Sequence, residues 1–190
     1  KKKVELNKKN EEIKSQFKLI ANKISNKTLK FNLKYKLKLR HADQKDNDLL
    51  LYWANEPFVR ANAFMPEPIE KRIHKKWFNS RLKNPNAHKL YIANIDKNPI
   101  GQVRLDLVDS KWHIDFSVDK NFRNQGLGTE MLNLAIQKNS NNNYSQKFIG
   151  QVKNSNKSSY NVFNSLLSYN VSRILFKNVY EEYTEIKSLG

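Results

Sequence analysis

Apolar residues recur along this chain with two different periods, and the switches between them mark its elements. Leu33, Tyr35, Leu37 and Leu39 alternate with Lys34, Lys36, Lys38 and Arg40, which predicts a first strand with one buried and one basic face. Ahead of it, Ile13, Phe17, Ile20 and Ile24 recur at helical spacing, a narrow stripe on a short helix that ends near residue 26. After it, Asp43 is placed to cap a helix carrying Leu49, Leu50 and Trp53, and Pro57 ends that helix because the residue before a proline resists the helical region. A second helix from about Ile69 to Leu82 puts Ile73, Trp77 and Phe78 on one face. Three strands follow, near Lys89 to Asn94, Pro99 to Leu107 and Lys111 to Val118, with turns at Asp96-Lys97-Asn98 and Asp109-Ser110. A helix runs to about Asn139. A polar connection, Ser140 to Ser145, reaches a strand at Phe148 to Val152, a helix at about Ser158 to Leu167, and a closing hairpin near Ile174 to Phe176 and Val179 to Thr184. No internal repeat is visible.

Composition narrows the classes. At 190 residues the chain suits one domain plus an appendage, and the absence of Cys removes disulfides, thiol catalysis and thiolate metal sites. That agrees with a reducing, cytoplasmic setting. The four His at 41, 74, 88 and 113 have no ligand-spaced pair, so no metal site is expected. The longest apolar runs fall far short of a membrane span, and no membrane partner is expected. The net charge of +17 is unevenly placed, since residues 1–40 hold 14 Lys and Arg against 3 acidic residues. Residues 1–33 thus read as a basic N-terminal extension or linker with a short helix, and 34–190 as the folded domain. No aromatic-basic stacking motif accompanies the charge, which argues against a nucleic-acid partner. The chain also begins without Met, which suggests a mature form, a cut form or a piece of a longer polypeptide.

The most informative segment is Arg123-Asn124-Gln125-Gly126-Leu127-Gly128, which follows the run Ile114 to Val118 and opens a helix. Two glycines one residue apart let a ligand approach the backbone, and N–H groups at a helix start attract anionic oxygens. A Walker loop would need Lys after its last Gly, and Thr129 stands there instead. A dinucleotide fingerprint needs a third glycine and a later acid, and residues 140–160 hold no acid. The pattern Arg-x-x-Gly-x-Gly, with this order of elements, resembles the GNAT N-acyltransferases over residues 35–186. That resemblance implies an α/β (α+β) fold whose mixed central sheet splits at a V-shaped cleft flanked by helices. It implies acetyl-CoA as co-substrate, held by backbone from Asn124, Gln125, Gly126, Leu127, Gly128 and Thr129, with Arg123 beside the phosphates. Backbone of Phe116 and Val118 would pair with the pantetheine arm. Asn156 and Ser159 resemble the Asn-x-x-Ser element opening the last helix, where Asn156 would bond pantetheine or merely cap a turn.

A narrower resemblance rests on Trp53-Ala54-Asn55-Glu56-Pro57, Val59-Arg60, Pro68-Ile69, His74 and Trp77-Phe78. It points to the branch that acetylates amino groups on nucleotide-linked sugars, closest to the pseudaminic acid type, sometimes fused to a sugar-nucleotide hydrolase. The expected activity is acetyl transfer from acetyl-CoA to the primary amine of a nucleotide-linked amino-deoxy sugar. Alternatives are a protein N-terminal acetyltransferase of ribosomal-protein type and a non-catalytic CoA-binding module. A homodimer or a hydrolase fusion is compatible with either enzyme.

Site residues follow from this. For the base, His74 ranks first and His113 second, with Asp115 and Glu56 also weighed; His113 and Asp115 are expected on opposite sides of their strand. Many family members have a Tyr where this chain has Phe163, and Phe cannot protonate a leaving thiolate. Tyr160 or Tyr169 could replace it. For the acceptor, Asn55, Arg60, Phe64 and Trp77 lie in the helices and loop expected over the substrate end, with Arg60 suited to a diphosphate.

Overall fold

The computed structural model describes residues 37–140, 147–167 and 174–179. The extension 1–33, the first half of the predicted first strand, Tyr169 and the second strand of the closing hairpin lie outside the described residues. The elements run β1 (Leu37–His41), α1 (Asn47–Ala54), α2 (Pro57–Asn62), α3 (Lys71–Lys83), β2 (His88–Ile95), β3 (Asn98–Val108), β4 (Lys111–Val118), α4 (Leu127–Asn139), β5 (Lys147–Lys153), α5 (Lys157–Leu167) and β6 (Ile174–Val179). They form one six-stranded sheet in sequence order.

Short hairpins make β2, β3 and β4 antiparallel, and the helical crossovers α4 and α5 make β5 and β6 parallel to their neighbours. Asp96, Asp109 and Ser110 take the positive φ that the two tight turns demand. Asp43 caps a 3-10 turn, Gln44–Asp46, that leads into α1, rather than α1 itself.

Pro57 does end α1, but it also begins a helix that the hydrophobic pattern does not show. Glu56 accepts hydrogen bonds from the Phe58 and Val59 N–H groups, and Pro57 occupies the first turn, where no N–H is needed. The result is α2, in a stretch expected to be loop.

Helices cover both faces of the sheet. On one face, Leu50 and Trp53 of α1 and Phe78 of α3 pack on Leu90 and Ile92 of β2. On the other, Tyr91 donates to Asn139 of α4 at 3.0 Å, and Gly101 of β3 lies against Met131. The unbroken buried run Leu90-Tyr91-Ile92-Ala93 reflects a strand with apolar partners on both sides.

Candidate functional site

The sheet splits where expected. The parallel β4–β5 ladder runs from Lys111↔Lys147 to Ile114↔Gly150 and ends there, whereas β4 stays paired with β3 through Val118 and β5 with β6 through Lys153. The Asp119 N–H bonds the Ile100 carbonyl on the β3 side, so by alternation Phe116 and Val118 turn their peptide groups toward the gap.

The glycine loop closes one end of that gap. Asn124 and Gly126 have φ of 61° and 77°, and Gly126 is the N-cap of α4 with no side chain capping the helix. A Cβ on Gly126 would meet nothing within 4 Å, so the space over the helix start is open to a ligand. Gly128 is held differently. A Cβ there would lie 3.2 Å from the Phe116 ring and 3.3 Å from Val162 of α5, so this glycine lets β4, α4 and α5 close together. The loop therefore fits a diphosphate: uncapped helical N–H groups, one bare position facing outward and one packed inward. At Gly150, a Cβ would overlap the ring of Phe163, which is buried and meets Phe116 edge-on at 5.8 Å. Phe163 thus packs the base of the fork.

Arg123 is engaged with groups of the protein itself. Its Nε donates to the Val118 carbonyl at 3.0 Å, its guanidinium pairs with Glu56 at 2.5 Å, and it stacks 4.7 Å over the Phe58 ring. A nearby carboxylate and an aromatic face satisfy its charge, and it braces α2 to the end of β4. Val118 consequently offers the gap its N–H rather than a vacant carbonyl. Gln125 reaches back to the Asn121 carbonyl at 3.5 Å. Asn156 accepts from the Ser159 N–H at 3.0 Å, the capping alternative.

The opposite face of the sheet carries a row of polar side chains. Gln102, Arg104 and Asp106 alternate on β3 and pair across to Ser117, Asp115 and His113 of β4. His113 and Asp115 therefore share a face, contrary to expectation, because residues two apart in a strand point the same way. Asp115 accepts from Gln102 at 3.0 Å, lies 3.8 Å from Arg104, and is half exposed. Arg104 and Arg81 flank Trp77 at 5.4 and 5.8 Å, and Asp106 holds His88 at 2.7 Å and Arg104 at 3.0 Å. Of this row the sequence singles out only His113 and Asp115, although the signal for its β3 half is present: polar and apolar residues alternate through Gln102-Val103-Arg104-Leu105-Asp106.

Asn55, Arg60 and His74 are each engaged within the protein. Asn55 spends its side-chain amide on Ile69, donating to its carbonyl and accepting from its N–H, both at 2.8 Å, so it pins the loop after α2 instead of facing a substrate. Arg60 donates to the Met65 and Glu67 carbonyls at 3.1 and 3.3 Å, which fixes the same loop. Its Nε is buried without a hydrogen-bond partner, and burial lowers its pKa despite Asp115 and Glu67 nearby. His74 is 2% exposed between α1 and α3, with Nδ1 3.2 Å from Asn47, and burial lowers its pKa against a small opposing pull from Asp48. An imidazole tilted against Trp77 and stacked on Phe78 in this buried position cannot take a proton from an acceptor unless the helices part. Phe64 is exposed, Trp77 is half-buried, and Tyr160 lies exposed on α5.

A sheet opened between two parallel strands, with an anion-binding glycine loop at the opening, defines an acyltransferase that works on a thioester of a diphosphate-bearing carrier. Residues 36–166 match the family described as an acetyltransferase (GNAT) domain, and the chain belongs to that family. It is an acetyl-CoA-dependent N-acetyltransferase. No curated protein sequence matches it significantly. Solved structures share the fold. The Vibrio cholerae spermidine N-acetyltransferase in complex with CoA and spermine is 17% identical, with 68% of this chain and 79% of that one covered at a TM-score of 0.58. A domain from Methanocaldococcus jannaschii is 20% identical over 70% and 87% at 0.62. The acetyltransferase AAC(6')-Ib, bound to ribostamycin and coenzyme A, is 16% identical over 68% and 81% at 0.60. Among the described residues no helix is long and apolar enough to cross a membrane.

Proposed function

We propose that the acceptor is the primary amine of a nucleotide-linked amino-deoxy sugar, of the kind acetylated in pseudaminic acid synthesis. The observation that carries this reading is the mixed charge of the acceptor face. Exposed Asp115 can receive an ammonium group, while Arg104 beside it, and Lys153 reaching across the fork to the Ala61 carbonyl at 3.5 Å, supply cations for a phosphate. A polycation such as a polyamine would meet repulsion at those same groups, and an amine joined to a diphosphate would not.

Acetyl-CoA supplies the activated acyl carbon. The amine nitrogen attacks it, the C–N bond forms as the C–S bond breaks, the nitrogen loses a proton and the thiolate gains one. In this reading the gap-side N–H groups of β4 polarise the carbonyl. His113, on the acceptor face one residue before the ladder ends, is the base in this reading, in place of buried His74. Phe163 offers no proton, so Tyr160 or solvent protonates the thiolate.

Free-thiol release from acetyl-CoA, measured with UDP-amino sugars, spermidine, kanamycin and an N-terminal ribosomal peptide, tests the assignment. Turnover with a UDP-amino sugar at least about tenfold above the others is expected, since one lost charge-assisted contact is worth about 1.5–3 kcal/mol. Preference for spermidine, kanamycin or the peptide overturns the acceptor class, and no turnover with any amine favours a CoA-binding module.

A further inference from the structure

The ion pair between Glu56 and Arg123 joins the start of α2 to the foot of the glycine loop, beside a second link in which Trp53 Nε1 of α1 donates to Asp119 at 2.8 Å. Arg123 stands at the foot of the glycine loop, immediately before the two positive-φ positions, Asn124 and Gly126. Glu56 stands at the start of α2. Its Oε2 accepts from both Arg123 and the Val59 N–H, and its Oε1 accepts from the Phe58 N–H. Both side chains are more than three-quarters buried. Arg123 also lies over the Phe58 ring, so the contact is apolar as well as ionic.

From Glu56 the connection continues into the acceptor side. The helix it caps carries Arg60, which holds the loop at Met65 and Glu67, and Ala61, whose carbonyl receives Lys153 from β5. α2 therefore lies across the mouth of the fork, attached to β4 through Arg123 and to β5 through Lys153. Few contacts anchor it otherwise, because no residue of α2 is buried. A segment held this lightly follows its attachments.

We propose that the Glu56–Arg123 pair couples filling of the glycine loop to the placement of residues 57–70 over the acceptor, so that both are positioning residues for the transfer. The proposal rests on the reading that the loop holds the CoA diphosphate. A ligand bound to the loop N–H groups restricts the backbone on either side of Arg123, and through the ion pair restricts the first turn of α2. By linkage, a segment 57–70 ordered by an acceptor strengthens CoA binding in turn.

Hydrogen exchange of the full chain with and without saturating CoA tests this, alongside CoA affinity by calorimetry. In the native protein, CoA should slow exchange across 57–70 by about fivefold or more, the lower end of typical coupling. Glu56→Gln removes the charge, and Glu56→Ser removes the reach to Arg123 while keeping a helix-capping oxygen. In both, CoA should still bind and still protect the glycine loop, but its effect on 57–70 should vanish. A purely structural role for the pair would raise exchange in 57–70 equally with and without CoA, and that result overturns the proposal. Undiminished CoA-induced protection of 57–70 in both variants overturns it too. If the native protein binds no CoA at all, the cofactor reading itself fails, an outcome distinct from CoA binding without protection.

Discussion

The two faces of the sheet are built on different terms. On the α4–α5 side, glycines let backbone and rings close together: Gly128 against Phe116 and Val162, Gly150 against Phe163. On the α1–α3 side, polar side chains hold irregular backbone in place: Asn55 on Ile69, Arg60 on Met65 and Glu67, Arg123 on Val118. A cofactor whose diphosphate never changes can be met by fixed main chain, which needs only small residues. An acceptor that differs between relatives is met by a loop, and side chains must fix that loop because it has no ladder of its own.

The largest expected effect separates the two sides from the cofactor end. Gly126→Val places a branched side chain in the open space over the α4 start, at a φ of 77° that a β-branched residue resists. CoA affinity should fall about a hundredfold, the loss of one or two charge-assisted hydrogen bonds. The strain of about 1–2 kcal/mol leaves a folded protein. Calorimetry with CoA and a urea melt decide it together, and a folded variant with native affinity would remove the diphosphate from this loop.

Asn55→Ala is the reciprocal test and the next in size. It leaves the Ile69 N–H and carbonyl without their side-chain partners, at a cost of about 1–3 kcal/mol. Urea unfolding should show that loss, while CoA affinity falls by no more than the roughly fivefold that coupling through 57–70 would carry. A large drop in CoA affinity with unchanged stability would mean that Asn55 serves the cofactor and that the division between the faces is wrong.

The cofactor side was the readable one because a glycine in a sequence states a backbone constraint directly. Gly126 and Gly128 mark the loop without knowledge of any partner, although Gly150, which admits Phe163 to the fork, becomes meaningful only once the two are seen in contact. Asn55, Arg60 and Arg123 are polar residues whose partners lie up to 67 positions away in the chain, so nothing local distinguishes a loop clamp from a substrate ligand. Glu56-Pro57 marks the end of α1 and equally the start of α2, because a proline suits the first helical position. His74 stands on a helical stripe with Trp77 and Phe78, and that stripe was the sign of burial.

The smallest effect concerns acid, and it tests whether the α1–α3 side loosens first. Several ion pairs lie on that face or at its border, including the bidentate contact of Arg40 with Asp46 at 2.6 Å. Burial alone would raise the Asp46 carboxyl, but the Arg40 hydrogen bonds and the Asp43 N–H outweigh it and hold its pKa below the usual value. Glu56 is lowered in the same way, with Arg123 and the Phe58 N–H prevailing over burial. A group with a depressed folded pKa contributes stability above its unfolded pKa of about 4, and that contribution is lost as pH falls through the folded value. Stability should therefore be flat from pH 7 to about 5 and decline below it, and Asp46→Asn should be less stable at pH 7 yet show a shallower decline. Hydrogen exchange at about pH 3.5 should show α1–α3 opening before α4. Simultaneous opening of both faces would mean that the shared sheet, and not the polar clamps, governs how this molecule comes apart.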